Sequence, residues 1–133
     1  LGVREPNIYG YETLADIEEL CHQRAISHGL KVNFKQSNFE GEIVADIQSA
    51  RDAAAGIIIN GAGYTHTSIA ILDALKISEL PVIELHLSNI HAREAFRHHS
   101  YIAKAATGII CGFGAHGYVL AIDAMARLIE CAD

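Results

Sequence analysis

The stretch P-V-I-E-L-H-L, residues 81–87, decides the fold of this chain. It is a short and almost continuous apolar run, which is typical of a strand buried in a parallel sheet with helices on both faces. Side chains alternate between the two faces of a strand, so Glu84, His86 and Ser88 are predicted to share one face. A lone carboxylate in such a strand would be costly to bury, and we therefore expect Glu84 to pair with His86.

Helices and strands alternate on both sides of this run. Apolar residues at helical spacing, with Thr13 as a cap and Gly29 as a stop for the first helix, indicate where the helices lie. We predict helices at residues 13–28, 41–54, 67–78 and 116–131, and further strands at residues 32–36, 56–59 and 107–112. This alternation predicts β-α units with right-handed crossovers. The expected fold class is α/β, a flavodoxin-like doubly wound parallel sheet flanked by helices, in a single domain over residues 1–133.

Composition narrows the classes of function. The chain has 133 residues, a formal net charge of -6 and no long basic stretch, so the footprint of a nucleic-acid-binding protein is absent. No apolar run approaches the roughly 20 residues that a membrane helix needs. Three cysteines without a C-x-x-C pair argue against structural zinc and a disulfide framework, and they fit a cytoplasmic protein.

The polar face of the strand at residues 81–87 is the first candidate site. Ligands of doubly wound sheets bind beyond the carboxyl ends of the strands, where this chain is polar or rich in glycine. An imidazole held by a carboxylate is a credible general acid, so Glu84 and His86 form a candidate acid pair. The alternative is an ion pair that only satisfies charges buried in the core.

Two arginines follow this strand, in H-A-R-E-A-F-R-H-H at residues 91–99. Arg93 and Arg97 are spaced so that one helical turn would put both on the same face. Two guanidinium groups suit an anionic or hydroxyl-rich small molecule, and the alternative is a solvated basic face. The histidines here lack the helical pairing with an acid that is typical of a metal site, so no metal ligand is predicted.

A glycine-rich loop precedes the third helix, with the sequence N-G-A-G-Y-T-H-T-S at residues 60–68. Its glycines allow close backbone approach, and the start of the helix offers N–H groups to a polar ligand. His66 is predicted either to cap the helix or to contact a ligand.

The N-terminal loop carries a further candidate, Tyr9. Arg4 could favour the ionised form of Tyr9 and make it a base, and the alternative is that Tyr9 is a surface or packing residue.

Five segments together resemble the type II 3-dehydroquinate dehydratases. They are L-G-V-R-E-P-N-I-Y-G (1–10), Q-S-N-F-E-G-E (36–42), N-G-A-G-Y-T-H-T-S (60–68), E-L-H-L-S-N-I-H-A-R-E-A-F-R-H-H-S (84–100) and G-F-G-A-H-G-Y (112–118). They span nearly the whole chain in the order of that family. The resemblance implies a lyase of the shikimate or quinate pathway that dehydrates 3-dehydroquinate to 3-dehydroshikimate. It implies anti elimination through an enolate, with neither a metal nor an organic cofactor.

The resemblance also implies a role for each site residue. In the catalytic set, Tyr9 on a lid loop would be the base, stabilised as its anion by Arg4, and His86 would be the acid, with Glu84 holding its ring. The substrate-binding set would comprise Asn60, His66, Asp73, Leu87, Ser88, Arg93 and Arg97. The carboxylate of the substrate would bind the backbone N–H groups of the strand end. Asp73 would reach the site of a neighbouring subunit, in trimers that assemble into a dodecamer.

The family's first strand precedes the segment that matches residue 1 and lies centrally in the sheet. A sheet formed by these residues alone would lack that strand, and the two strands beside it would lose hydrogen-bond partners for their backbone groups. We therefore expect the natural chain to be longer. If that segment is truly absent, the alternative is a catalytically weak protein that still binds dehydroquinate-like hydroxy acids.

Overall fold

The computed structural model describes residues 12–131 of the chain. Its helices are α1 Leu14–Ser27, α2 Glu40–Ala53, α3 Ile69–Ser78 and α4 His116–Cys131, and its strands are β1 Ile57–Ile59, β2 Val82–His86 and β3 Gly108–Cys111. Short 3₁₀ helices lie in the connections, at Ala62–His66, Ile90–Ala92, Ala95–His98 and Ile102–Lys104. Each predicted helix is present, with ends close to the predicted ones.

The three strands form a parallel sheet in the order β1-β2-β3. Ile59 pairs with Glu84 across the first ladder, and His86 pairs with Cys111 across the second. β2 is therefore central, and all of its residues are buried. The predicted α/β class, with a parallel sheet between helices, is confirmed. This topology puts the carboxyl end of β2 between the ends of its two neighbours.

Helices cover both faces of the sheet. α2 and α3 pack on the face that carries Val82, in a core that includes Ile71. α1 and α4 pack on the opposite face, which carries Ile83. Because side chains alternate along a strand, Glu84 and His86 point to the same side as Val82. Within residues 12–131, no helix is both long and apolar enough to cross a membrane.

α1 begins and ends as its sequence predicts. Thr13 Oγ1 accepts a hydrogen bond from the backbone N–H of Asp16 at 3.2 Å, and the Asp16 carboxylate accepts one from the N–H of Thr13 at 3.0 Å. The two bonds complete a capping box. Gly29 follows the helix with a φ of +71°, a left-handed value that glycine adopts without strain.

The strand predicted at residues 32–36 is wrong, because no strand is formed there. The alternation behind the prediction is present: Val32 and Phe34 are half-buried against the core of α1 and α4, while Asn33 and Lys35 are exposed. A strand also needs a ladder of backbone hydrogen bonds with a neighbour, and the described part of the chain places no strand beside this segment. Residues 30–36 and β1 line one cavity of about 1260 Å³.

Candidate active site

A buried pair of ionisable side chains lies at the end of β2. The Glu84 side chain is fully buried, the His86 side chain is 5% exposed, and Nε2 of His86 lies 2.5 Å from Oε2 of Glu84. The other carboxylate oxygen, Oε1, accepts a hydrogen bond from the hydroxyl of Ser100 at 2.8 Å. The predicted pairing of Glu84 with His86 is thus present, and it satisfies the charge that the strand buries. With Nε2 facing Glu84, Nδ1 is the ring nitrogen that can exchange a proton with a ligand.

The His66 ring stacks beside the His86 ring, with centroids 6.4 Å apart and planes 16° from parallel. Nδ1 of His66 lies 2.7 Å from the carbonyl oxygen of His99, and since a carbonyl oxygen only accepts, this nitrogen carries a proton. Nε2 of His66 is therefore the ring nitrogen left for a ligand hydroxyl. The capping role predicted as one alternative for His66 is wrong, because Ser68 caps α3 by accepting the N–H of Ile71 at 3.0 Å.

Asn60 directly follows β1, and its amide group is oriented by two neighbours. Oδ1 accepts the backbone N–H of Ala62 at 3.1 Å, so Nδ2 is the donor to the hydroxyl of Tyr118 at 3.5 Å. The turn gives Ala62 a left-handed φ of +48°. It also brings Gly61 so close to Ile102 that a Cβ atom at Gly61 would lie 2.5 Å from Cδ1. Gly61 is therefore packed closely against Ile102, and the approach of this loop to a ligand stays a prediction.

The two arginines after β2 do not share a helix. Ile90–Ala92 and Ala95–His98 are separate 3₁₀ turns, and Arg93 between them is extended, with a ψ of -162° that ends the first turn. The helical turn predicted for Arg93 and Arg97 is therefore wrong, yet both side chains line the same cavity. At 17% and 23% exposure, neither belongs to a solvated basic face.

Glu94 lies between these arginines. Its carboxylate accepts a hydrogen bond from Nε of Arg97 at 2.8 Å and lies 3.8 Å from Nε of Arg93. A hydrogen bond from its own backbone N–H, and then the two arginines, hold the pKa of the Glu94 carboxyl below its usual value. The guanidinium group of Arg93 also donates to the hydroxyl of Ser88 at 3.5 Å. This side of the cavity is therefore rich in donors for an anionic or hydroxylated ligand.

One cavity brings most of the predicted residues together. Its wall includes these predicted residues: Asn60, His66, His86, Leu87, Ser88, Arg93 and Arg97. Asp73 does not line it, because it lies on the exposed face of α3. Arg4 and Tyr9 lie outside the described residues. Over residues 12–131, no group of histidine, cysteine and acidic side chains is placed to hold a metal ion.

Sequence reasoning does not single out two residues that contact the site, Ser100 and Tyr118. Ser100 donates to Glu84, and Tyr118 accepts from Asn60. Burial raises the pKa of Tyr118, while the Asn60 hydrogen bond acts in the opposite direction. The phenol is therefore a neutral hydrogen-bonding group at ordinary pH. The one sequence signal for either residue is its place inside a segment that carries the family resemblance.

Known proteins match this chain over nearly its whole length. The family model of class II dehydroquinases matches residues 1–126. The chain is 58% identical over 128 residues to the 3-dehydroquinate dehydratase of Methylobacterium radiotolerans, and the matched region covers 96% of this chain and 86% of that protein. It is 54% identical over 130 residues to 3-dehydroquinate dehydratase 2 of Pseudomonas putida, and that match covers 98% of this chain and 87% of that protein.

A solved structure agrees with these sequence matches. The crystal structure of the type II dehydroquinase from Propionibacterium acnes superposes with a TM-score of 0.91 at 42% identity, covering 96% of this chain and 88% of that one. The similarity therefore extends from sequence to three-dimensional fold. The chain belongs to the class II dehydroquinase family.

Proposed function

We propose that this chain is a hydro-lyase that converts 3-dehydroquinate into 3-dehydroshikimate and water without a cofactor. The observation that carries the proposal is the family match over residues 1–126, because relatives at 58% and 54% identity are named 3-dehydroquinate dehydratase. The geometry supports it. His86, held by the buried Glu84, lines a cavity with hydrogen-bonding groups, which suits a hydroxylated carboxylic acid.

The acid step is assigned to His86. Loss of a hydroxyl group from the enolate needs a proton donor, and the leaving group then departs as water while the enolate becomes the conjugated enone. Because Nε2 of His86 is paired with Glu84, we assign the donated proton to Nδ1. Glu84 fixes the plane of the ring, so that the donor is oriented before the substrate binds.

The base step is assigned to Tyr9. In an anti elimination the proton next to the ketone leaves from the side opposite to the hydroxyl group, so the base and the acid must approach from different sides. Tyr9, ionised beside Arg4, would supply the base from the lid loop. Both residues lie outside the described part of the chain, so this assignment depends on the family match at residues 1–10. A lid that closes over the substrate would also exclude water.

Substrate binding is assigned to the cavity wall around the acid pair. The carboxylate of the substrate would accept hydrogen bonds from the backbone N–H groups of Leu87 and Ser88. Arg93 would support this end of the site through its contact with the Ser88 hydroxyl. Hydroxyl groups of the substrate would be held by Asn60, His66 and Arg97.

The exposed face of α3 is assigned to a subunit contact. Asp73 lies one helical turn from Ile69 and from Ile77, whose side chains are 56% and 62% exposed. Exposed apolar residues that form such a stripe favour packing against another chain. We place Asp73 at the site of a neighbouring subunit, in trimers that assemble into a dodecamer. We place the enzyme in the cytoplasm.

The test of the function is an assay with 3-dehydroquinate. The enone product absorbs in the ultraviolet, so its formation can be followed continuously. We expect Tyr9→Phe and His86→Gln each to lower kcat by about 100-fold, because each removes a proton-transfer group. Substrate affinity should change little. Calorimetric binding of 3-dehydroquinate to the wild-type protein, with no enone formed, would contradict the proposal and favour a binding protein.

A further inference from the structure

The hydroxyl of Ser100 reaches the acid pair from the loop that follows Ala95–His98. Its oxygen accepts the backbone N–H of Ala103 at 3.0 Å, and its proton is directed to Oε1 of Glu84, 2.8 Å away. An amide N–H only donates, so Ser100 is the acceptor from Ala103. A carboxylate only accepts, so Ser100 is the donor to Glu84. Glu84 therefore has one donor on each oxygen, Ser100 on Oε1 and His86 on Oε2.

Contacts on both sides of Ser100 fix its backbone. The carbonyl oxygen of His99 accepts the Nδ1–H of His66 at 2.7 Å. The N–H of Tyr101 donates to the carbonyl oxygen of Thr65 at 2.9 Å. Ser100 is thus held against the loop after β1 as well as against β2. The segment at residues 99–101 links the substrate-binding side of the cavity to the acid pair through hydrogen bonds.

We propose that Ser100 is a positioning residue for the dehydration and acts on His86 through Glu84. This inference rests on the proposed function. The Ser100 hydroxyl holds the carboxylate at the rotation that presents Oε2 to His86, so the imidazole is oriented in advance. Without the hydroxyl, a buried carboxylate oxygen lacks a donor and the group is free to turn. Groups that are oriented before the reaction need no reorganisation during it.

The test is a double-mutant cycle of Ser100→Ala and Glu84→Gln in the full-length protein. We expect Ser100→Ala to lower kcat about tenfold. In metalloenzymes, contacts that orient a ligating side chain contribute about 10- to 100-fold, and we take the lower end of that range for this contact. KM should stay nearly constant, because the hydroxyl contacts Glu84 and not the substrate. In the Glu84→Gln background, Ser100→Ala should have little further effect on kcat, since residues that act as a unit are not additive.

Two control variants separate this role from a structural one. Ser100→Thr keeps the hydroxyl and should restore most of kcat. Ser78, at the far end of α3, has the same hydrogen-bond pattern as Ser100: its hydroxyl donates to the carbonyl oxygen of Leu75 at 2.6 Å and accepts the N–H of Leu80 at 3.3 Å. Ser78→Ala should lower the melting temperature without changing the kcat of the folded enzyme.

The outcomes distinguish the two levels of the proposal. Wild-type kcat in Ser100→Ala, or additive effects in the cycle, would overturn the role of Ser100 and leave the proposed function intact. Absence of enone from the wild-type enzyme would overturn the proposed function. In that case the free energy of unfolding is measured for the same four proteins. Additive effects of Ser100→Ala and Glu84→Gln on it would contradict the hydrogen bond between the two side chains.

Discussion

At Glu84, burial and charge determine what one substitution does. Glu84→Gln keeps the size of the side chain but turns one acceptor oxygen into an NH₂ group, and its two partners, His86 and Ser100, both donate. Only one acceptor oxygen remains for the two donors, and a neutral amide binds the imidazole less strongly than a carboxylate does. We expect kcat for enone formation to fall by about 100-fold. Glu130→Gln, at an exposed carboxylate on α4, is the control and should leave kcat unchanged. Wild-type kcat in Glu84→Gln would contradict the acid pair.

Two cysteines should react at different rates because they differ in burial. Burial, and then the nearby Glu18 carboxylate, raises the pKa of the Cys21 thiol to about 11, whereas Cys131 is exposed at the end of α4. Since the thiolate is the nucleophile, iodoacetamide at neutral pH should modify Cys131 at least about tenfold faster than Cys21. Peptide mass spectrometry measures both rates. Equal rates in the folded protein would show that Cys21 is not buried in solution.

Single residues could be predicted where a local pattern carries the chemistry. A carboxylate in an apolar strand requires a partner, and strand alternation identifies His86 as that partner for Glu84. Ser100 follows no such rule, because its contact with Glu84 depends on how a distant loop returns to β2. Tyr118 reaches Asn60 from α4 in the same non-local way. Contacts between elements are set by tertiary packing, which local spacing does not encode.

At the scale of elements, Gly117 allows α4 to approach the sheet closely. A Cβ atom at Gly117 would lie 2.9 Å from Cδ1 of Leu85, which is fully buried in β2, whereas a Cβ atom at Gly41 in α2 would meet no atom within 4 Å. Alanine favours a helix over glycine by about 1 kcal/mol. Gly41→Ala should therefore leave the melting temperature unchanged or raise it. Gly117→Ala should lower it by several degrees, because α4 or Leu85 must shift. A Gly117→Ala protein at least as stable as Gly41→Ala would contradict this packing.

Helices could be predicted from the sequence better than strands. A helix satisfies its backbone hydrogen bonds internally, so periodicity and a capping box at Thr13 suffice to place it. A strand depends on its neighbour, and the segment at residues 32–36 has the right alternation without a strand beside it in the described range. The turns that carry Arg93 and Arg97 show a second limit. Their spacing fits a helix, but an extended Arg93 interrupts it.

At the scale of the whole molecule, an ion cluster ties α1 to α4. Asp123 on α4 accepts hydrogen bonds from Nε and Nη2 of Arg24 at 2.7 and 2.8 Å, and it lies 2.6 Å from Nε2 of His28. The hydrogen bond from Arg24, and then the one with His28, lower the pKa of Asp123 from 3.8 to about 2. The cluster therefore connects the first and last helices of the described range through a carboxylate that is ionised in the folded state.

The lowered pKa makes the stability contributed by Asp123 depend on pH. A carboxyl whose pKa is lower in the folded than in the unfolded state stabilises the fold above the unfolded value. That stabilisation is lost as the pH falls from 3.8 towards about 2. Asp123→Asn should thus lower the melting temperature near neutral pH, and the difference in melting temperature between this variant and the wild type should shrink below pH 3.8.

Asp52→Asn, at an exposed carboxylate on α2, is the control, and its melting temperature should differ little from that of the wild type at any pH. Added salt should weaken the effect, because the Asp123 side chain is 34% exposed. A difference between Asp123→Asn and wild type that persists or grows in acid would contradict the cluster.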